Sequence, residues 1–227
     1  MKTRMQALLE SFKAGAGKTR SFRADVSGDS AKLYLYDIIG QDWFGGVGPQ
    51  DVVKALDAAG GKPLDIFINS PGGDVFDGVA IHSLLKRYGN TKTMHVDGLA
   101  ASAASFLLMA GDTIVMAPAA QIMIHDAWAY SSGNAAELRA TADLLDQTSK
   151  TLCDAYAART KQDPKDVAAW MAAETWMTSD VALARGFCDA VEPGQDDDND
   201  GDGAKARATK LLAELGARLK SSRASPQ

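Results

Sequence analysis

The chain has 227 residues, 46% hydrophobic and 23% charged, which excludes a disordered, collagen-like or disulfide-stapled polypeptide. Its formal charge of −5 offers no global basic field for nucleic acid. That charge is divided unevenly: residues 1–23 hold six Lys/Arg against one Glu, residues 24–191 carry a net −9, and residues 192–227 a net −1.

In chain order, the basic arm contains one short amphipathic segment around Met5–Phe12, read as a mobile tail or a partner-binding helix. No apolar h-region marks a secretory signal, so a cytoplasmic protein is expected. Alternation predicts a strand over Lys32–Ile39, and Pro49–Ala59 reads as a helix opened by proline and closed by Gly60. Leu64–Asn69 is a short strand running into Ser70-Pro71-Gly72-Gly73, and Val75–Arg87 has helical spacing. Thr91–Val96 reads as a strand, and the small residues from Gly98 to Ala110 as a helix. That stretch holds the most apolar run, Leu99 to Ala110, which is too short to span a bilayer.

Thr113–Ala117 and Gln121–His125 are strand-like. A long helix is predicted from Asn134 to Arg159, with Leu138, Leu145 and Leu152 at seven-residue intervals, interleaved with Ala142, Ser149 and Tyr156. That narrow seam suits packing against another helix. Further helices are predicted from Pro164 to Ala172 and from Asp180 to Arg185. Strands alternating with helices argue for an α/β domain on a largely parallel sheet. After Pro193 the acidic run Asp196–Gly203 lacks the glutamate that closes a calcium loop and reads as a linker. The predicted organisation is a basic arm over 1–24, a domain over 25–192, an acidic linker over 193–203 and a basic helical tail over 204–227.

Three segments carry chemistry. In Ser70-Pro71-Gly72-Gly73 the adjacent glycines let backbone N–H groups face a cleft, where they can hold a developing oxyanion; taken alone, a tight strand-to-helix turn is the better explanation. Ser102 lies among Gly98, Ala100, Ala101, Ala103 and Ala104, which leave its hydroxyl room at a strand-to-helix junction; taken alone, close packing of a small-residue helix is the better explanation. His125 closes a strand, where a side chain opening onto a cleft is a candidate general base; taken alone, a hydrogen-bonded edge histidine explains it equally, and His82 and His95 read as structural. Cys153 and Cys188 read as buried apolar side chains, and no Cys/His spacing makes a zinc site.

In conjunction, INSPGG at 68–73, GLAASAASFLLMAG at 98–111, QIMIH at 121–125 and TWMTSDVALARGFCDAV at 175–191 resemble the Clp protease proteolytic subunit family (ClpP), which shares its wider fold with the crotonases. The resemblance covers roughly residues 32–192 and implies stacked β-α units with a protruding handle helix over 134–159, through which rings of subunits stack. It also implies that Ser102, rather than Ser105, is the nucleophile and His125 the base. Gly72 with help from Gly73, and the N–H of Ala103, would build the oxyanion hole. Glu174 stands where the family usually carries Asp, one methylene longer; Asp126 points to the other strand face, and Asp180 is the reserve. Val75, Phe76 and the segment 126–132, Ala127 and Trp128 included, would line the peptide groove.

The implied partners are protein or peptide substrates and further copies of the chain, with no metal, cofactor, nucleic acid or membrane. Housekeeping members carry an R-G-E-R-like N-terminal run that docks an ATP-driven unfoldase. The basic Gly/Lys arm and the Glu-Thr-Trp block look more like the phage-encoded head-maturation proteases, which cleave capsid-associated proteins in the bacterial cytoplasm or within the prohead. Two other classes share parts of this pattern. A crotonase-type acyl-CoA enzyme would keep the oxyanion hole without a Ser/His/acid set, and a silent assembly protein would form oligomers without reactive serine.

Overall fold

A computed structural model describes residues 4–14, 22–40 and 46–193. The described residues up to Val191 belong to one compact unit, in which every element below lies. The linker from 194 onward and the tail lie outside the described residues. The arm provides α1 (Arg4–Ala14) and β1 (Phe22–Asp25). Then come β2 (Ala31–Leu35), α2 (Pro49–Ala59), β3 (Leu64–Ser70), α3 (Val75–Arg87), β4 (Lys92–Ala101), α4 (Ala103–Leu108), β5 (Thr113–Met116) and β6 (Gln121–Ile124). The remainder is α5 (Ala135–Thr160), α6 (Pro164–Ala172), β7 (Thr175–Thr178), α7 (Ser179–Ala184) and β8 (Ala190–Val191).

The expected α/β class is what the chain adopts. Strands β2, β3, β4, β5 and β8 pair in parallel in that order, and β1 closes one edge antiparallel to β2. The period-two alternation of β3 buries Leu64, Ile66, Ile68 and Ser70 on one face. In register across the sheet this produces two buried rows, Leu33–Ile66–Met94–Ile114 and Leu35–Ile68–Val96–Met116. Each such side chain contributes about 1.5–3 kcal/mol by leaving water. The opposite face carries a stack in which the ring of Phe67 lies 4.8 Å from Tyr34 and 4.5 Å from His95. His95 is thereby occupied in the sheet, with its Nε2 3.5 Å from Asp65.

β4 is longer than the sequence suggests and changes partner along its length. Thr93–Val96 pair with β5, whereas Leu99–Ala101 pair with β6, which in turn pairs antiparallel with β7. The sheet therefore forks at Asp97-Gly98. Pairing with β6 overrides the helical preference of Leu99-Ala100-Ala101, so the helix begins at Ala103 rather than near Gly98. The strand expected through Ile39 stops at Leu35, because Asp37 Oδ1 accepts from the N–H of Ile38 and the chain turns toward Val47 and Gly73.

Helix α5 starts on a capping box, with Asn134 and Glu137 satisfying each other's backbone N–H groups, and ends at Lys161 in the left-handed conformation. At 26 residues it is about 39 Å long. Its first half is largely exposed, Leu138 and Leu144 included, whereas Leu152, Cys153, Tyr156 and Ala157 are buried. Of the seam, Leu145, Leu152 and Tyr156 line the cleft described next. The thiols of Cys153 and Cys188 are both buried and unpaired. Helix α1 lays Leu8 and Leu9 against the buried pair Ala101 and Met123 of β4 and β6, on which Leu99 and Trp176 also pack.

Candidate active site

The fork in β4 delivers its last residue to an opening in the sheet, and the chain turns there at Ser102. This serine has φ 53 and ψ −126, a conformation costly for any residue with a Cβ. Its N–H donates to Met123 O at 2.9 Å, fixing it to β6. Its carbonyl accepts from the N–H groups of Ser105 at 2.9 Å and Phe106 at 3.3 Å, the first turn of α4. The bend holds the hydroxyl clear of both elements.

His125 stands one residue beyond β6 and Glu174 one residue before β7. Ile124 and Thr175 are partners in the antiparallel ladder, so continuing the register by one step sets His125 opposite Glu174. The His125 Nε2 lies 2.7 Å from Ser102 Oγ. Burial pushes the imidazole below its ordinary pKa of 6.5, while the charges of Glu174 and then Asp126 pull it back upward. Glu174 acts on the ring through its charge: among the described residues no carboxylate accepts from Nδ1. The Glu174 Oε1 instead accepts from the indole N–H of Trp176 at 3.3 Å. Glu174 has φ 49, which ends α6 and turns the chain into β7. Asp180 is exposed in the first turn of α7 and does not act on His125.

The glycine turn lies against the serine. A Cβ on Gly72 would stand 2.7 Å from Ser102 Cβ and 2.9 Å from Ala103 N; one on Gly73 would stand 2.0 Å from Ile39 O. Both have positive φ, 88 and 153 respectively. The N–H of Gly72, expected to lead the oxyanion hole, donates to the buried Ser70 Oγ at 3.1 Å. Among the described residues nothing accepts from the N–H of Gly73 or of Ala103, so these two form the available pair. The role left to Gly72 is close approach.

A cleft of about 480 Å³ runs past these groups. Ser102, Ala103, His125 and Gly73 line it together with Val75, Phe76, Ala127 and Trp128, the groove residues expected from the sequence. Phe76 is 59% exposed and Tyr130 82% exposed, the latter edge-on to Trp128 with centroids 5.3 Å apart. The Ala127 N–H donates to Ser149 Oγ at 2.9 Å, which ties the chain after His125 to α5. Leu9 of α1 also lines the cleft, as do Leu145, Leu152 and Tyr156 of α5. None of these four was legible as a cleft residue, because each comes from an element remote in sequence. His82 lies elsewhere: its ring packs on Phe106 at 4.5 Å, and burial drives its pKa down to about 4.

The sequence profile of the Clp protease family matches residues 51–194. The chain is 32% identical over 130 residues to "ATP-dependent Clp protease proteolytic subunit 3" of Streptomyces coelicolor, covering 56% of this chain and 60% of that protein. It is 32% identical over 133 residues to "ATP-dependent Clp protease proteolytic subunit" of Bacteroides thetaiotaomicron, covering 58% and 60%. Identity to "ATP-dependent Clp protease proteolytic subunit 2" of Nocardia farcinica is 34% over 133 residues, covering 57% and 65%. The matched segment thus spans about three fifths of the length of these relatives. A profile that covers more than half of the chain, with the glycine turn, Ser102, His125 and Glu174 all inside it, makes this protein a member of the Clp protease family.

Proposed function

We propose that this protein is a serine-type endopeptidase acting without metal or cofactor, and that Ser102, His125 and Glu174 carry the reaction. The observation that carries this reading is the 2.7 Å contact between His125 Nε2 and Ser102 Oγ beside two unclaimed backbone amides. The imidazole, kept neutral by burial, accepts the serine proton as Oγ bonds to the substrate carbonyl carbon. The N–H groups of Gly73 and Ala103 receive the oxyanion. The histidinium then protonates the leaving amine as the C–N bond breaks, and water repeats the sequence to release the acyl group. The Glu174 charge stabilises the histidinium. Phe76, Ala127 and Trp128 hold the extended substrate.

Labelling of Ser102 by a fluorophosphonate probe tests the assignment. An unlabelled protein sinks it and favours the crotonase-type or silent assembly readings. The pH dependence is a second check. The base must be neutral, and its pKa is depressed, so kcat/KM rises with pH to a plateau with an apparent midpoint below 6.5. Glu174→Gln removes the largest upward influence, so the midpoint moves lower still while the plateau falls. Because Glu174 makes no hydrogen bond to the ring, the loss stays below the ~10,000-fold expected for a directly bonded triad carboxylate. A midpoint that moves upward contradicts this electrostatic arrangement.

The physiological setting we propose is processing of phage capsid or scaffold proteins in the cytoplasm of a bacterial host, or within the prohead, without an unfoldase. The support is the departure from the housekeeping pattern: a basic Gly/Lys arm in place of an R-G-E-R-like run, and Glu174-Thr175-Trp176 in the acid block. Self-assembly into rings through α5 belongs to the same proposal, supported by the exposed Leu138 in its first half. A housekeeping subunit driven by an ATP-dependent unfoldase is the second reading, favoured by the names of the relatives. Mass spectrometry of capsid proteins co-expressed with wild-type or Ser102→Ala protein separates the two. Capsid cleavage only with the wild type supports the phage role; unfoldase-stimulated degradation of folded substrates, with capsid proteins intact, supports the other.

A further inference from the structure

Ser105 is fully buried, three residues past Ser102, and its hydroxyl is nevertheless engaged on both sides. Its Oγ donates to the Ser102 carbonyl at 2.7 Å and lies 2.7 Å from the Tyr156 hydroxyl. The proton count fixes the direction. A carbonyl only accepts, so the single Ser105 proton is spent on it, and Tyr156 must donate to Ser105. Burial pushes the Tyr156 phenol far above its ordinary pKa, so it stays a donor at any working pH. Its ring is held edge-on to Phe106, with centroids 6.0 Å apart, and tilted against Phe187 at 5.7 Å.

The carbonyl so gripped shares one rigid peptide plane with the N–H of Ala103. In a trans peptide the two bonds point in opposite directions, so whatever fixes the Ser102 C=O also aims the Ala103 N–H. Donors on that carbonyl further polarise the amide and strengthen its N–H. The backbone N–H groups of Ser105 and Phe106 already bond this carbonyl, and the Ser105 hydroxyl adds a third donor against the swing that relaxation of Ser102 from φ 53 would bring. We propose that Tyr156 and Ser105 are positioning residues: a directed relay from α5 that aims the Ala103 amide into the oxyanion hole. The inference rests on the serine-peptidase reading above and adds to it a part supplied by residues 51 positions apart.

The experiment compares wild-type, Ser105→Ala, Tyr156→Phe and doubly substituted full-length protein. Three probes are used: a fluorophosphonate, a short fluorogenic peptide amide and a peptide boronate that mimics the tetrahedral intermediate. Removing an oxyanion donor outright costs about 100- to 1,000-fold, and misaiming it costs less. Ser105→Ala is therefore expected to lower kcat and the labelling rate at Ser102 by about 10- to 100-fold. KM and the pH midpoint stay unchanged, and boronate affinity falls by the same factor as kcat. Tyr156→Phe gives a smaller loss of the same kind, and the double variant is no slower than Ser105→Ala. Each substitution removes one oxygen and keeps the packing, and if one variant fails to fold the other carries the test.

Wild-type rates in folded variants, a raised KM, a shifted pH midpoint or losses that multiply in the double variant would each overturn the relay. So would loss of the fold in both single variants. A wild-type protein that the fluorophosphonate does not label at Ser102 is a separate result: it removes the serine-peptidase reading itself.

Discussion

Replacing Ser102 with alanine is expected to lower kcat for peptide hydrolysis by about a millionfold while leaving the fold in place. The substitution removes a single oxygen whose one described side-chain contact is His125 Nε2. Alanine tolerates φ 53 no worse than serine does, and the backbone bonds to Met123, Ser105 and Phe106 are unaffected. On the proposed mechanism the residual rate would come from binding and from the amides of Gly73 and Ala103. His125→Ala is expected to cost a similar factor, and the double variant no more than either single one, because nucleophile and base act as a unit. Single-turnover kinetics on one fluorogenic peptide read all three. A loss under about 1,000-fold for Ser102→Ala would mean that another group attacks the carbonyl.

Gly72→Ala should be the most damaging substitution outside the Ser/His pair, with kcat/KM down at least a hundredfold. An added Cβ would stand 2.5 Å from Ala101 O, 2.7 Å from Ser102 Cβ and 2.9 Å from Ala103 N. Backbone cannot yield as a flexible side chain can, so the glycine turn must draw back from the serine. Shifts of about 1 Å at reacting groups cost on the order of a hundredfold in rate. The positive φ of 88 adds strain of about 1–3 kcal/mol, which thermal denaturation reads as a lowered Tm. Gly89→Ala is the control, since nothing lies within 4 Å of its Cβ position. Near-native activity in Gly72→Ala would show that close approach of the turn is dispensable.

The sequence reveals this fold best where period and punctuation agree. Pro49–Ala59 and Pro164–Ala172 open on their own proline, Val75–Arg87 opens on the Asp74 cap, and the chain folds to those limits. β1 has no comparable mark: Phe22–Asp25 is a four-residue edge strand with three exposed positions, held by pairing rather than by burial. Leu99–Ala101 likewise becomes strand only because β6 lies beside it. At the site, Ser102 and His125 are readable because each sits at a junction within one motif. The Gly72 and Gly73 amides look equivalent in the sequence, and only the Ser70 hydroxyl distinguishes them. The Ser105–Tyr156 and Ala127–Ser149 contacts join α5 to remote segments, and no local pattern encodes such pairs.

The seat of α1 sets an order in time. Leu8 and Leu9 are made long before Trp176 of β7, yet all three settle in one apolar cluster on Ala101 and Met123. At translation rates of ~5–20 residues per second, Trp176 follows Leu8 by roughly ten to thirty seconds. Over that interval an 11-residue helix, shorter than the ~12–15 residues at which isolated helices become even marginal in water, has nothing to rest on. Docking of α1 must therefore be among the last events of folding. Because Leu9 then borders the opening beside Ser102, completion of the fold and completion of the cleft's outline coincide.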